Sequence, residues 1–136
     1  MNQVQHIILV DDNQVTNFFN EDLLGFMCRT WKVTTFTSTE AALAYLMQQP
    51  PADQDLPTLI LLDIKLSGGT GYDLLRELDE LELLEANRWK ICLLTSSNLV
   101  RDQEELGKFP IVGRYIEKPL TEEKVMDALS LFGRVA

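Results

Sequence analysis

The sequence predicts an α/β fold: a doubly wound parallel sheet with helices on both faces. Three observations predict it. Residues 7–10, 59–62 and 91–94 are runs of four apolar residues without a polar member, the pattern of strands covered on both faces. Stretches with helical spacing separate the strand candidates, and alternating β and α units imply a parallel sheet with right-handed crossovers. The length, 136 residues, fits one domain spanning 1–136.

The elements follow in order. After the strand at 7–10, Val15, Phe18, Phe19, Leu23, Phe26 and Met27 fall on one side of a helix, which predicts that this side meets the core. Residues 31–36 alternate apolar and polar, as a half-exposed edge strand does. Thr37-Ser38-Thr39-Glu40 reads as a capping box before a helix over 41–47. Pro50, Pro51 and Pro57 make 48–57 a surface loop, because proline interrupts helix and central strand alike. The strand at 59–62 leads to a helix over 71–84 with Leu74, Leu75, Leu78 and Leu81 on one side. The strand at 91–94 leads to a helix over 98–107, which Gly107 ends. A fifth strand, 111–116, precedes a helix capped by Thr121, with Glu122 and Glu123 in its first turn and Val125, Met126, Leu129 and Phe132 as its apolar stripe.

Composition excludes several functions. Twelve basic against 21 acidic residues leave a net charge of −9. That charge opposes direct DNA binding, which draws on basic contacts to phosphate, and docking on anionic lipid. No apolar run approaches the ~18 residues of a spanning helix, so no membrane insertion is expected, and the N-terminus lacks the regions of a signal peptide. Cys28 and Cys92 have neither metal-ligand nor redox spacing; both read as small buried hydrophobes, and a reducing cytoplasm is expected. His6, the only histidine, reads as a solvent-facing residue at a strand start. Glu77, Asp79, Glu80, Glu82 and Glu85 read as a solvated face.

A doubly wound sheet places its site beyond the carboxyl ends of its strands. There the sequence puts Asp11 and Asp12, then Asp63, then Thr95 and Ser96, then Glu117, Lys118 and Pro119. Each alone is ordinary: paired acids after a strand are usually a turn or a helix cap, and Lys-Pro often starts a turn. Together they form an oxygen-rich set. Clustered carboxylates repel one another and attract a cation, and hard oxygen donors without histidine or cysteine favour Mg2+ over zinc. A lysine and a hydroxyl opposite would bind phosphoryl oxygens, with an aspartate available as nucleophile.

In this order and spacing Leu9-Val10-Asp11-Asp12-Asn13, Leu61-Leu62-Asp63, Leu94-Thr95-Ser96 and Lys118-Pro119-Leu120 resemble the receiver domain of two-component response regulators. The resemblance covers residues 7–131. It implies a flavodoxin-like (βα)5 fold with strand order 2-1-3-4-5. It implies that Asp63 is the phosphoacceptor, taking a phosphoryl group from a phosphohistidine. It makes Asp12 a direct Mg2+ ligand, with Asp11 holding the metal through water and Asp63 and the Lys65 backbone carbonyl as further ligands. Lys118, Thr95 and Ser96 would contact the phosphoryl oxygens, Thr95 and Tyr115 would form the switch, and the Lys118–Pro119 bond would be cis. The implied partners are a sensor histidine kinase or a histidine phosphotransfer protein, and a downstream protein docking on the face of the fourth helix, fifth strand and fifth helix. The implied catalysis is limited to the chain's own phosphorylation and dephosphorylation. Few residues follow the last helix, so no attached output domain is expected.

The sequence departs from the family at Ser67, where proline is common, and at Ser96, where alanine is usual; Gly71 matches. Lys65 occupies a position that affects dephosphorylation rate. A haloacid-dehalogenase-like phosphatase would need an aspartate where Lys65 stands and a late acidic motif, whereas here the paired acids come first. A receiver-like module that does not use phosphate is the remaining alternative. No glycine-rich Walker sequence is present, so a P-loop switch is excluded.

Overall fold

The computed structural model describes residues 4–48, 57–63, 65–66, 69–80, 89–95 and 112–132. The elements are β1 (His6–Val10), α1 (Gln14–Met27), β2 (Lys32–Phe36), α2 (Thr39–Met47), β3 (Thr58–Asp63), β4 (Lys65–Leu66), β5 (Gly69–Thr70), α3 (Gly71–Glu80), β6 (Trp89–Thr95), β7 (Val112–Glu117), α4 (Glu122–Leu129) and a 3-10 turn, Ser130–Phe132. Five strands form one parallel sheet in the order β2-β1-β3-β6-β7; numbered among themselves they run 2-1-3-4-5. The antiparallel pair β4–β5, with Lys65 opposite Thr70, is an addition to the expected elements. The expected helix over 98–107, residues 81–84 of the third helix, Ser67 and Ser96 lie outside the described residues.

Alternation along the strands sorts side chains to two faces. Ile8, Val10, Ile60, Leu62, Ile91 and Leu93 pack with Leu46 of α2 and Leu74, Leu75 and Leu78 of α3. Ile7, Leu9, Leu59, Leu61, Cys92 and Leu94 pack with Leu24 of α1 and Val125, Ala128 and Leu129 of α4. Burying each large aliphatic side chain contributes about 1.5–3 kcal/mol. The runs without polar residues are thus strands sandwiched on both sides. Val10 stands opposite Leu62 and Leu62 opposite Leu93, so β1, β3 and β6 reach the carboxyl edge at one level.

Three expectations need correction. α1 is rotated by roughly a third of a turn from its predicted orientation: Leu23 and Met27 pack against the core as expected, but Val15, Phe18, Phe19 and Phe26 face solvent, Phe26 with 81% of its surface exposed, while Asn17 and Leu24 are buried. The amide of Asn17 bonds backbone carbonyls at the ends of β1 and β2, and that anchoring fixes the helix's rotation. His6 is buried rather than solvent-facing; its Nε2 lies 3.0 Å from the Thr34 hydroxyl, and Tyr45 meets its ring edge-on. Cys28 is only half-buried, unlike Cys92. Smaller differences concern the helix ends. Ser38, not Thr37, caps α2, accepting from the Ala41 amide at 3.2 Å. In α4 Thr121 caps as expected, but Met126 points to solvent and Ala128 takes its place in the core.

Candidate metal and phosphoryl site

The carboxyl edge gathers residues far apart in sequence. Asp11 follows β1 and is 3% exposed. Its amide donates to the Phe36 carbonyl at 3.0 Å, its Oδ1 accepts from the Asn13 amide at 2.9 Å, and its Oδ2 accepts from Lys118 Nζ at 3.0 Å. Asp12 is exposed. Asp63 ends β3, is buried, and holds Oδ2 3.1 Å from the same Lys118 Nζ. One carboxylate oxygen from each of Asp11, Asp12 and Asp63 lies within 4.8 Å of the others. Two unit charges at that separation repel by about 3 kcal/mol at an effective dielectric of ~20.

Lys118 supplies one compensating charge. The amide of Lys118 donates to the Thr95 carbonyl at 2.7 Å, which extends the β6–β7 ladder past Glu117. The Lys118–Pro119 peptide is cis, as the resemblance implies. Burial alone would pull the Lys118 ammonium down. The hydrogen bonds and charges of Asp11 and Asp63 outweigh it, and its pKa stands above the ordinary lysine value. Three carboxylates against one ammonium leave a net charge of −2 at the cluster. Oxygen-only donors at this spacing fit a hard divalent cation such as Mg2+, which takes one or two carboxylates and retains waters. His6, Cys28 and Cys92 do not contribute to the cluster.

Of the residues singled out in the sequence, Asp11, Asp12, Asp63, Thr95 and Lys118 come to this edge. Thr95 closes β6 and is buried, with Glu117 as its neighbour on β7. Tyr115 is half-buried on β7 and packs against the cluster that holds α2 and α3. Lys65 sits in β4, two residues past Asp63. Ser96 lies outside the described residues. Two contributors were missed. Lys124 Nζ donates to the carbonyls of Glu117 at 2.7 Å and Pro119 at 3.0 Å, fastening the backbone on both sides of Lys118. Asn17 Nδ2 donates to the Asp11 carbonyl at 2.9 Å and the Phe36 carbonyl at 3.2 Å. A lysine three residues past a helix cap carries no such signal, but two asparagines four residues apart, Asn13 and Asn17, were a cue.

Residues 7–130 match the family described as the response regulator receiver domain. Among solved structures, a two-component response regulator from Cytophaga hutchinsonii is 26% identical. It aligns with a TM-score of 0.84 over 96% of this chain and 97% of its own. A response regulator receiver protein from Dyadobacter fermentans DSM 18053 is 28% identical, with a TM-score of 0.81 over 95% and 98%. The response regulator TrrA from Thermotoga maritima, solved in complex with Mg2+-BeF, shares the fold at 19% identity and a TM-score of 0.74, over 95% and 99%. No curated protein matches the chain.

Proposed function

The chain belongs to the response regulator receiver domain family, and on that premise we propose that residues 1–136 act as a phosphoryl-accepting switch in which Asp63 takes the phosphoryl group of a partner's phosphohistidine. The observation that carries this reading is the Lys118 ammonium held within 3.1 Å of both Asp11 and Asp63. It stands where a charge must be met when Asp63 becomes an acyl phosphate.

A carboxylate oxygen of Asp63 attacks phosphorus, the phosphorus–nitrogen bond breaks, and the imidazole leaves with the electron pair of that bond. Asp11, Asp12, Asp63 and the Lys65 carbonyl would hold Mg2+, which when bound neutralises charge on the transferring oxygens. The TrrA complex with Mg2+-BeF supports Mg2+ as the cation. Lys118, Thr95 and Ser96 meet the phosphoryl oxygens, whose charge after transfer is roughly −2. Thr95 moves toward them, and Tyr115 follows into the space behind it. The surface of β7 and α4 then changes for a downstream protein. Only differential contacts shift such an equilibrium, and these are the ones assigned.

Receiver domains are signalling switches rather than enzymes acting on a separate substrate, and catalysis here is confined to the chain's own phosphorylation and dephosphorylation. The phosphodonor is a sensor histidine kinase or a histidine phosphotransfer protein in the cytoplasm. The exposed Val15, Phe18, Phe19 and Phe26 of α1, which begins just past Asp12, give such a donor an apolar surface that starts at the acidic edge and runs along the helix. Among the described residues no helix is long and apolar enough to cross a membrane.

The test is intact mass after incubation with acetyl phosphate. A gain of one phosphoryl group that requires Mg2+ and is absent in Asp63→Asn is expected. Absence of any gain, with Mg2+ binding demonstrated separately, would transfer support to a phosphate-independent binding module.

A further inference from the structure

We infer that Asn17 is a positioning residue that fixes Asp11 as a metal-site carboxylate; the inference rests on the reading of Asp11, Asp12 and Asp63 given above. Asn17 lies on the inward side of α1 and is 4% exposed, a place where a helix normally presents an apolar side chain. Its two amide hydrogens are both used, one on the Asp11 carbonyl and one on the Phe36 carbonyl. The Phe36 carbonyl also accepts from the Asp11 amide. The peptide before the Asp11 α-carbon is thus tied directly to the end of the neighbouring strand, and the peptide after it is tied to the same Phe36 carbonyl through the Asn17 side chain. Asn13, one turn earlier, holds the carboxylate itself through its amide at 2.9 Å. α1 thus fixes both the backbone of Asp11 and the direction of its side chain.

Packing alone does not explain this residue. The Asn17 Oδ1 is buried and, among the described residues, has no hydrogen-bond partner, and an orphaned buried acceptor costs stability. Exchanging the amide's oxygen and nitrogen would set the oxygen against two carbonyl oxygens, so the orphan is inherent in the arrangement. A leucine here would keep the branched outline at a larger volume and leave no orphaned side-chain oxygen. What the leucine could not do is hold the Asp11 carbonyl. Groups that orient a ligand from behind typically change metal affinity by about 10- to 100-fold when removed.

The test measures Mg2+ affinity by calorimetry on the whole chain for wild type, Asn17→Leu and Asn17→Ala. Leu46→Ala serves as the control: Leu46 is buried on α2 against the other face of the sheet, so its truncation destabilises without reaching Asp11. The expected result is Mg2+ binding about tenfold weaker in both Asn17 variants, unchanged in Leu46→Ala. The rate of phosphoryl uptake from acetyl phosphate should recover in the Asn17 variants at saturating Mg2+. Asn17→Ala provides the measurement if Asn17→Leu does not fold. Unchanged affinity in the Asn17 variants, or equal weakening in Leu46→Ala, overturns the inference. A wild type that binds no Mg2+ overturns instead the functional reading on which it rests.

Discussion

Replacing Lys118 with methionine keeps most of the side-chain volume and removes the charge shared by Asp11 and Asp63. Lys118 Nζ lies 3.0 Å and 3.1 Å from their oxygens, and its side chain is 26% exposed. Removing one partner of a buried ion pair costs about 3–5 kcal/mol. Water reaches this lysine and screens part of that loss, so Lys118→Met should lower stability by roughly 2–3 kcal/mol at neutral pH without divalent cations. The same substitution should strengthen Mg2+ binding. Carboxylate oxygens within 4.8 Å repel by about 3 kcal/mol per pair at a dielectric of ~20; a cation relieving half of that in place of the lysine gains roughly tenfold in Kd. Urea unfolding in chelator and in saturating Mg2+, with a Mg2+ titration of each protein, measures both quantities. The pH dependence gives a third check. Lys118 has a raised folded pKa, so its stabilisation is fully present below the ordinary value of 10.5 and is lost as pH climbs through the folded value. Wild type should therefore show an alkaline loss above 10.5 of which Lys118→Met lacks this component. If Lys118→Met equalled wild type in chelator, or bound Mg2+ more weakly, Lys118 would not be the counter-charge of the cluster.

Three further outcomes are expected. Phe18→Ser with Phe26→Ser, both on the exposed face of α1, should leave stability within about 0.5 kcal/mol and phosphoryl uptake from acetyl phosphate unchanged, while slowing transfer from a protein phosphodonor. Iodoacetamide should label Cys28 in the folded chain and Cys92 only after unfolding, as read by peptide mass: the Thr30 hydroxyl holds the Cys28 thiol below its ordinary pKa, and burial pushes Cys92 up to about 12. Leu61→Ala, fully buried in β3, should cost about 2–5 kcal/mol in urea unfolding, with the spread set by how far the core can close on the cavity.

What could be read from the sequence divides along a physical line. The strands at 7–10, 59–62 and 91–94 were legible because burial on both faces leaves an uninterrupted apolar run. Asp11, Asp12, Asp63 and Thr95 were legible because they follow or close such strands, and Lys118 because it stands just past the fifth strand candidate, 111–116. The rotation of α1 was not. Its more apolar side, with Val15, Phe18, Phe19 and Phe26, is the outer one. The deciding contact runs from Asn17 to Phe36, on a strand that local periodicity does not see. His6 misled for a related reason: the contact to its Nε2 comes from Thr34 on the neighbouring strand, which the local sequence does not display. The hairpin of β4 and β5 pairs only two residues on each side, too few to leave a pattern.

The bond between Asp11 and Lys118 joins positions 107 residues apart, and this bears on how the chain comes into being. Contacts of such long sequence separation form late and slow folding, and a ribosome delivers the chain from its N-terminus at about 5–20 residues per second. Both acidic stretches leave the ribosome well before the lysine does. During synthesis the paired acids and Asp63 therefore precede the charge that compensates them, and no nascent fragment ending before Lys118 contains the complete set. The charge balance of the cluster is thereby set only once the chain has been made as far as Lys118.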